Sequence, residues 1–190
     1  MKIKNLTVAG SGVLGSQIAF QSAFSGLSVS VYDISDEAIE AGKKRMEGWK
    51  VRYVEDEYGT QQQVDEAFNR LTFHTDLGAA VANADLLIEA IPEKVEIKQE
   101  FFQKVSDLAP EKTIFASNSS SLLPSQIVGS VKRPTKYLHI HFANEIWKRN
   151  IAEIMKHEGT SDEVLTRPLP LPKTSTWCRF PFTRKKRATF

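Results

Sequence analysis

The 190-residue chain has a single cysteine, Cys178, so it carries no disulfide framework and no cysteine-rich metal cluster. It also lacks a leader-like start and any apolar run of membrane length, which makes a reducing, soluble compartment, the cytoplasm, the expected location. Charge of one sign is scarce too. The 25 Lys and Arg against 23 Asp and Glu give a formal charge of +2, which offers no general attraction to nucleic acid or to a membrane surface. Acids run out in one place only: after Glu163 there are none, while Arg167, Lys173, Arg179, Arg184, Lys185, Lys186 and Arg187 crowd the tail. What is present is 41% apolar residues, enough for the core of one full domain.

The most informative stretch runs from Lys4 to Asp33. A strand-like run (Ile3, Leu6, Val8) ends in Gly10-Ser11-Gly12-Val13-Leu14-Gly15; an apolar helix pattern follows (Ile18, Ala19, Phe20, Ala23, Phe24), and a second strand (Val29, Val31, Tyr32) stops at Asp33. Each part has a task if a dinucleotide sits there. Gly10 allows a tight turn, Gly12 lets the backbone approach a pyrophosphate, and Gly15 lets the helix pack against the first strand. The helix starts with unpaired N–H groups and a partial positive charge. A carboxylate at Asp33 can accept from a ribose diol and would repel a 2′-phosphate, so NAD is expected rather than NADP. A glycine turn without a ligand is the competing reading, and the flanking strands and terminal acid argue against it.

Alternating helix and strand patterns continue. Ser35 can cap a helix from about Asp36 toward Tyr58, in which Glu37, Glu40 and Glu47 face Lys43, Lys44, Lys50 and Arg52. These charges read as a solvated face, with an anionic ligand at Lys43, Lys44 and Arg52 as the alternative. Gln61 to Arg70 reads as a shorter helix, Leu71 to Thr75 as a strand, Leu77 to Ala82 as a helix, and Asp85 to Ala90 as a buried parallel strand. Lys94 to Leu108 has Val95, Phe101, Phe102, Val105 and Leu108 on one stripe; Thr113 to Ala116 and Tyr137 to Phe142 read as further strands. The predicted fold class is α/β: a Rossmann-type doubly wound, mostly parallel sheet with helices on both faces and ligands beyond the carboxyl ends of the strands.

At those ends stand polar groups. Ser117-Asn118-Ser119-Ser120-Ser121 follows one strand, and His139-Ile140-His141-Phe142-Ala143-Asn144 closes another. Alternation puts His139 and His141 on one face, with His141 nearer the tip and the better general base. Glu153 lies inside the apolar run Ile151-Ala152-Glu153-Ile154-Met155; an acid so placed is costly unless paired, and a histidine at a neighbouring strand end suits it. Such a pair would fix one tautomer of His141 and stabilise its protonated form. A structural histidine and a rim glutamate are the alternative. No metal site is expected.

These segments together resemble the amino-terminal domain of the 3-hydroxyacyl-CoA dehydrogenase family, which includes 3-hydroxybutyryl-CoA dehydrogenases. The matching stretches are Gly10 to Ala19, Tyr32-Asp33, Ile88 to Glu93, Ala116 to Leu122, and His141 to Asn144 with Glu153, in family order from residue 3 to about 164. The resemblance implies that Gly10, Ser11, Gly12, Val13, Leu14, Gly15 and Asp33 hold NAD, with Glu93, Lys98, Ser120 and Asn144 on the nicotinamide side. It implies His141 as base, Glu153 as its partner and Ser120 against the substrate. The implied reaction oxidises a 3-hydroxyacyl-CoA, expected to be short-chain, to the 3-ketoacyl-CoA. Alternatives are an NAD-binding module without catalysis and another NAD(P)-dependent oxidoreductase on this fold.

The chain departs from the family in the turn after His141, in the helix after Asp33, which has no match to the family's CoA-contacting residues, and in its tail. Where the family reads His-Phe-Phe-Asn-Pro, it has Ala143, and Glu145 in place of the proline, followed by Ile146-Trp147. From Thr166 on, Pro168, Pro170, Pro172 and Pro181 break every period where the family continues with a helix and a strand. Read one nucleotide earlier, the tail's codons admit a helix-like half, an apolar strand and a Lys-Glu-Lys-Ala-Gly-Tyr-Ile ending. A frameshift near Leu165 is therefore expected. On this reading residues 1–165 form the NAD-binding domain and 166–190 an irregular basic tail. The family's helical second domain, with its homodimer contact, would be absent and activity low or lost. A nucleic-acid or membrane role for the basic tail is disfavoured, because it has few aromatics and no amphipathic period.

Overall fold

A computed structural model describes residues 3–149 and 151–166. Its elements follow the expected alternation. They are β1 (Asn5–Ala9), α1 (Val13–Phe24), β2 (Ser28–Tyr32), α2 (Asp36–Glu55), α3 (Gln61–Phe68), β3 (Leu71–His74), α4 (Leu77–Val81) and β4 (Leu86–Glu89). They continue with α5 (Val95–Leu108), β5 (Ile114–Ser117), α6 (Pro124–Ile127), β6 (Tyr137–Phe142), β7 (Ala152–Met155) and α7 (Asp162–Thr166). Of the expected irregular tail, 166–190, Thr166 ends α7 and the rest lies outside the described residues.

The strands form one sheet in the order β3-β2-β1-β4-β5-β6-β7. The first six are parallel and β7 runs antiparallel to β6. The order reverses between β1 and β4, which puts a crevice over the carboxyl ends of those two strands.

Both faces are covered, which is why β4 reads Leu-Leu-Ile-Glu with all four residues buried. Leu86 and Ile88 join the core under α1 with Val8, Ile18 and Val31, while Leu87 points the other way to Phe102, Val105, Phe115 and Tyr137. In α1 everything from Gly15 to Ala23 is buried, since the helix lies between the sheet and the pair α2 and α3.

Local signals set most ends. Ser35 caps α2 by accepting from the Ala38 N–H at 3.2 Å, and Thr60 with Gln63 closes a capping box on α3. Helix α2 stops at Glu55, before the expected Tyr58: Glu57 takes φ of 59°, and the Asp56 carboxylate is bound by Trp147 and Lys148. The expected stripe on α5 is also corrected. Leu108 is exposed, and the buried face is Lys98, Phe102, Val105 and Ser106.

Candidate active site

The turn between β1 and α1 has the shape of a phosphate cradle. Gly10 sits at φ +98°, and a Cβ there would lie 2.5 Å from the Ala90 carbonyl oxygen. A Cβ on Gly15 would lie 1.9 Å from the Gly10 carbonyl oxygen, so this glycine is what lets α1 start against the turn. Gly12 has nothing within 4 Å of an added Cβ: the space is open, on the side where the backbone would meet a diphosphate. No side chain caps α1, so its first amides are available to an anion. These residues fit a dinucleotide.

Asp33 ends β2 beside this turn. One carboxylate oxygen accepts from the Ser11 N–H at 2.8 Å and its hydroxyl at 2.7 Å; the other accepts from the Ile34 N–H at 2.8 Å. The acid thereby ties the glycine turn to β2. Helix α2 closes on the same point, because a Cβ on Gly42 would lie 2.5 Å from the Ser11 Cβ, and Arg45 donates to the Ser11 carbonyl at 3.3 Å. Farther along α2, Lys43 pairs with Glu40 at 2.6 Å and Arg52 lies over the Trp49 ring, so both of these cations have protein neighbours.

Across the crevice, the loop after β5 is built around Glu93. Its Oε1 accepts from the Ser119 hydroxyl at 2.5 Å, from the Ser120 and Ser121 N–H groups at 3.2 Å each, and from the Ser121 hydroxyl at 2.9 Å. Burial alone would raise this carboxyl; the Ser119 and Ser121 donors and the Lys98 ammonium outweigh it and hold it at about 2. Lys98 itself is buried, with Nζ 2.5 Å from Glu89 and 3.2 Å from Glu93. Glu89, fully buried at the end of β4, also accepts from Ser117 at 2.7 Å and from the Ile91 N–H at 2.9 Å. Burial pushes its carboxyl up, against the pull of Lys98 and those donors. Ser120 is exposed at the mouth of this loop.

His141 and Glu153 face each other across the antiparallel β6–β7 ladder, with Nδ1 3.0 Å from Oε2. The expectation that Glu153 is an acid within a buried run is corrected: β7 is the edge strand, and the Glu153 side chain is 48% exposed, against 28% for His141. Its pairing therefore comes from register rather than from the cost of burial. His139, two residues back, is fully buried; its Nε2 is 2.8 Å from the Tyr137 hydroxyl, and its Nδ1 has no partner among the described residues. Burial, then the Lys98 charge, pushes this imidazole down to about 4.

Asn144 follows β6, and its Oδ1 accepts from Gln17 of α1 at 3.1 Å. The next residue, Glu145, has φ of +60° and donates its N–H to Gln17 Oε1 at 2.9 Å. A proline could make neither the angle nor the bond, so the turn here has its own shape. Trp147 buries itself against Trp49 and Tyr53 and anchors the segment to α2.

Sequence reasoning missed Gln17, Glu89, Ser119 and Ser121. For Glu89 a signal existed: an acid at the end of an all-apolar strand, nine residues before a lysine. Gln17 meets residues more than 120 positions away and gave none. Among the described residues no cluster could hold a metal ion, and no helix is long and apolar enough to cross a membrane.

Comparison with known proteins agrees with this layout. The family model described as 3-hydroxyacyl-CoA dehydrogenase, NAD binding domain, matches residues 5–174. A probable 3-hydroxybutyryl-CoA dehydrogenase of Bacillus subtilis is 37% identical over 163 residues, 86% of this chain and 56% of that protein. Among solved structures, a diketoreductase with substrate-directed dual catalysis of dicarbonyl compounds superposes with TM-score 0.85 at 47% identity, covering 86% of this chain and 58% of its own. The 3-hydroxybutyryl-CoA dehydrogenase of Escherichia coli K12 gives TM-score 0.82 at 30% identity, covering 87% and 35%. The chain spans about half the length of the curated relatives it matches.

Proposed function

The chain belongs to the 3-hydroxyacyl-CoA dehydrogenase family, and from that membership we propose that it carries the cofactor and proton-transfer half of an NAD-dependent oxidoreductase acting on 3-hydroxyacyl-CoA. The observation that carries this reading is the His141–Glu153 pair at the carboxyl end of β6, the same end of the parallel strands from which the glycine turn leaves β1. Gly10 to Gly15 would take the diphosphate, Asp33 the adenosine ribose, and Glu93, Lys98, Ser120 and Asn144 would frame the nicotinamide. NAD, when bound, supplies the acceptor or donor of the C3 hydride.

The protein's own residues handle the proton. Glu153 accepts the Nδ1–H of His141, which leaves a lone pair on Nε2 for the 3-hydroxyl proton and stabilises the imidazolium that forms. In the reverse direction the same nitrogen returns the proton to the alkoxide. Ser120, at the exposed mouth of the Glu93 loop, would contact the reacting oxygen.

A short acyl chain is part of the proposal, supported by the relatives named 3-hydroxybutyryl-CoA dehydrogenase; a cytoplasmic location is proposed from the lone cysteine, and a homodimer only for a chain extended to its relatives' length. A second reading has its own support: the 47% identical diketoreductase suggests dicarbonyl compounds as substrates. NADH oxidation with acetoacetyl-CoA and with a dicarbonyl compound that lacks CoA, on this chain and on one extended to its relatives' length, separates them. No oxidation with either would overturn the proposal.

A further inference from the structure

We infer that Gln17 is a positioning residue that fixes which end of the Asn144 amide faces the cofactor and holds the turn at Glu145. The inference rests on the reading of Asn144 as a nicotinamide-side contact.

Two backbone donors fix the orientation of the Gln17 amide. The backbone N–H groups of Glu145 and Ile146 lie 2.9 and 3.4 Å from the same side-chain atom of Gln17, and only an oxygen can accept them. That atom is Oε1, so the other end of the Gln17 amide is the donor Nε2. The Asn144 atom 3.1 Å from Nε2 must then be an acceptor, Oδ1. Its Nδ2 is left to donate outward. One buried side chain thus passes the polarity of two backbone amides through to an exposed asparagine; Gln17 is 3% exposed.

Position explains the effect. Gln17 lies two residues after Gly15, on the first turns of the helix that follows the phosphate cradle. Its amide spans from that helix to the turn after His141. A proline at 145 would set such a turn by its own ring; here φ of +60° at Glu145 excludes one, and the Gln17 amide supplies the constraint instead.

Two substitutions separate shape from polarity. Gln17→Met removes both contacts. Gln17→Glu keeps an acceptor for the two backbone amides but turns the Asn144 amide round, so that Nδ2 points inward to the carboxylate and Oδ1 outward. In amide exchange read by NMR without ligand, Gln17→Glu should keep the Glu145 and Ile146 N–H groups protected and slow the exchange of the Asn144 side-chain NH₂. Gln17→Met should lose all of this protection. NADH titration should show Gln17→Glu weakening binding about tenfold, the worth of one hydrogen bond. The effect should vanish when Gln17→Glu is added to Asn144→Ala. An unchanged Asn144 NH₂ signal in Gln17→Glu, or full multiplication of the two losses, overturns the inference. Failure of the unaltered chain to bind NADH would instead strike the functional proposal, and the exchange data would still decide for Gln17.

Discussion

Glu153 stands directly opposite His141 in the β6–β7 ladder, with its Oε2 3.0 Å from the histidine Nδ1. A carboxylate at 48% exposure contributes little stability as an ion pair, so its value lies in orienting the ring. Glu153→Gln should therefore leave the melting temperature and NADH affinity nearly unchanged while lowering kcat by about a hundredfold, the low end of the usual range for acid–base assistance. Rates measured across pH, beside thermal melts, check this. Loss of kcat together with stability would assign the pair a structural role.

The glycines of the first turn separate folding from binding. Gly12→Ala adds a methyl group to open space and should leave the fold intact while removing NAD binding, because the methyl would fill the approach to the diphosphate. Gly15→Ala places a Cβ 1.9 Å from the Gly10 carbonyl oxygen and should destabilise the chain by about 3 kcal/mol or more. Thermal melts with NADH titration compare the two. Equal melting temperatures would contradict the packing argument.

Asp33 should set the preference between the two dinucleotides. Its carboxylate is already aligned by Ser11 and Ile34, so a 2′-phosphate would meet a fixed negative charge. Asp33→Ser should weaken NADH and tighten NADPH, shifting the ratio of dissociation constants by about tenfold or more. The measurement is fluorescence titration with both nucleotides; an unchanged ratio would remove Asp33 from the ribose site.

How far the sequence revealed this molecule can be judged from single residues. The helix and strand periods located every strand, because buried parallel strands are short apolar runs between strong helix patterns. The cost of an unpaired acid in an apolar run points to Glu153, and the strand-tip position of His141 to its partner, but a one-chain pattern does not tell an edge strand from a covered one. Lys98 is singled out by the family resemblance alone, since nothing local in its helix shows that Glu89 and Glu93 neutralise a buried lysine. The Gln17 contact spans 127 residues and has no local signal at all. The frameshift reading concerns codons for residues outside the described ones.

His139 makes a pH prediction with a definite sign. Its imidazole falls from an ordinary 6.5 to about 4 in the fold, where it stays neutral. Between those values the unfolded chain binds the extra proton, so stability is full above 6.5 and lost as pH falls toward 4, by about 3 kcal/mol. The Glu93 contribution goes in a lower window, from 4.5 down to about 2. His139→Gln should flatten denaturant-derived stability between pH 6.5 and 4 without altering the lower window. A slope unchanged by the substitution would place the titration elsewhere.

The central claim is proton transfer at His141, and one kinetic comparison tests it most directly. NADH oxidation by acetoacetyl-CoA is followed with the chain extended to the length of its relatives, with and without His141→Ala, beside NADH dissociation constants. The His141→Ala chain should lose about a thousandfold in kcat with NADH binding retained. Turnover within a few-fold of the unaltered protein would contradict proton transfer at His141.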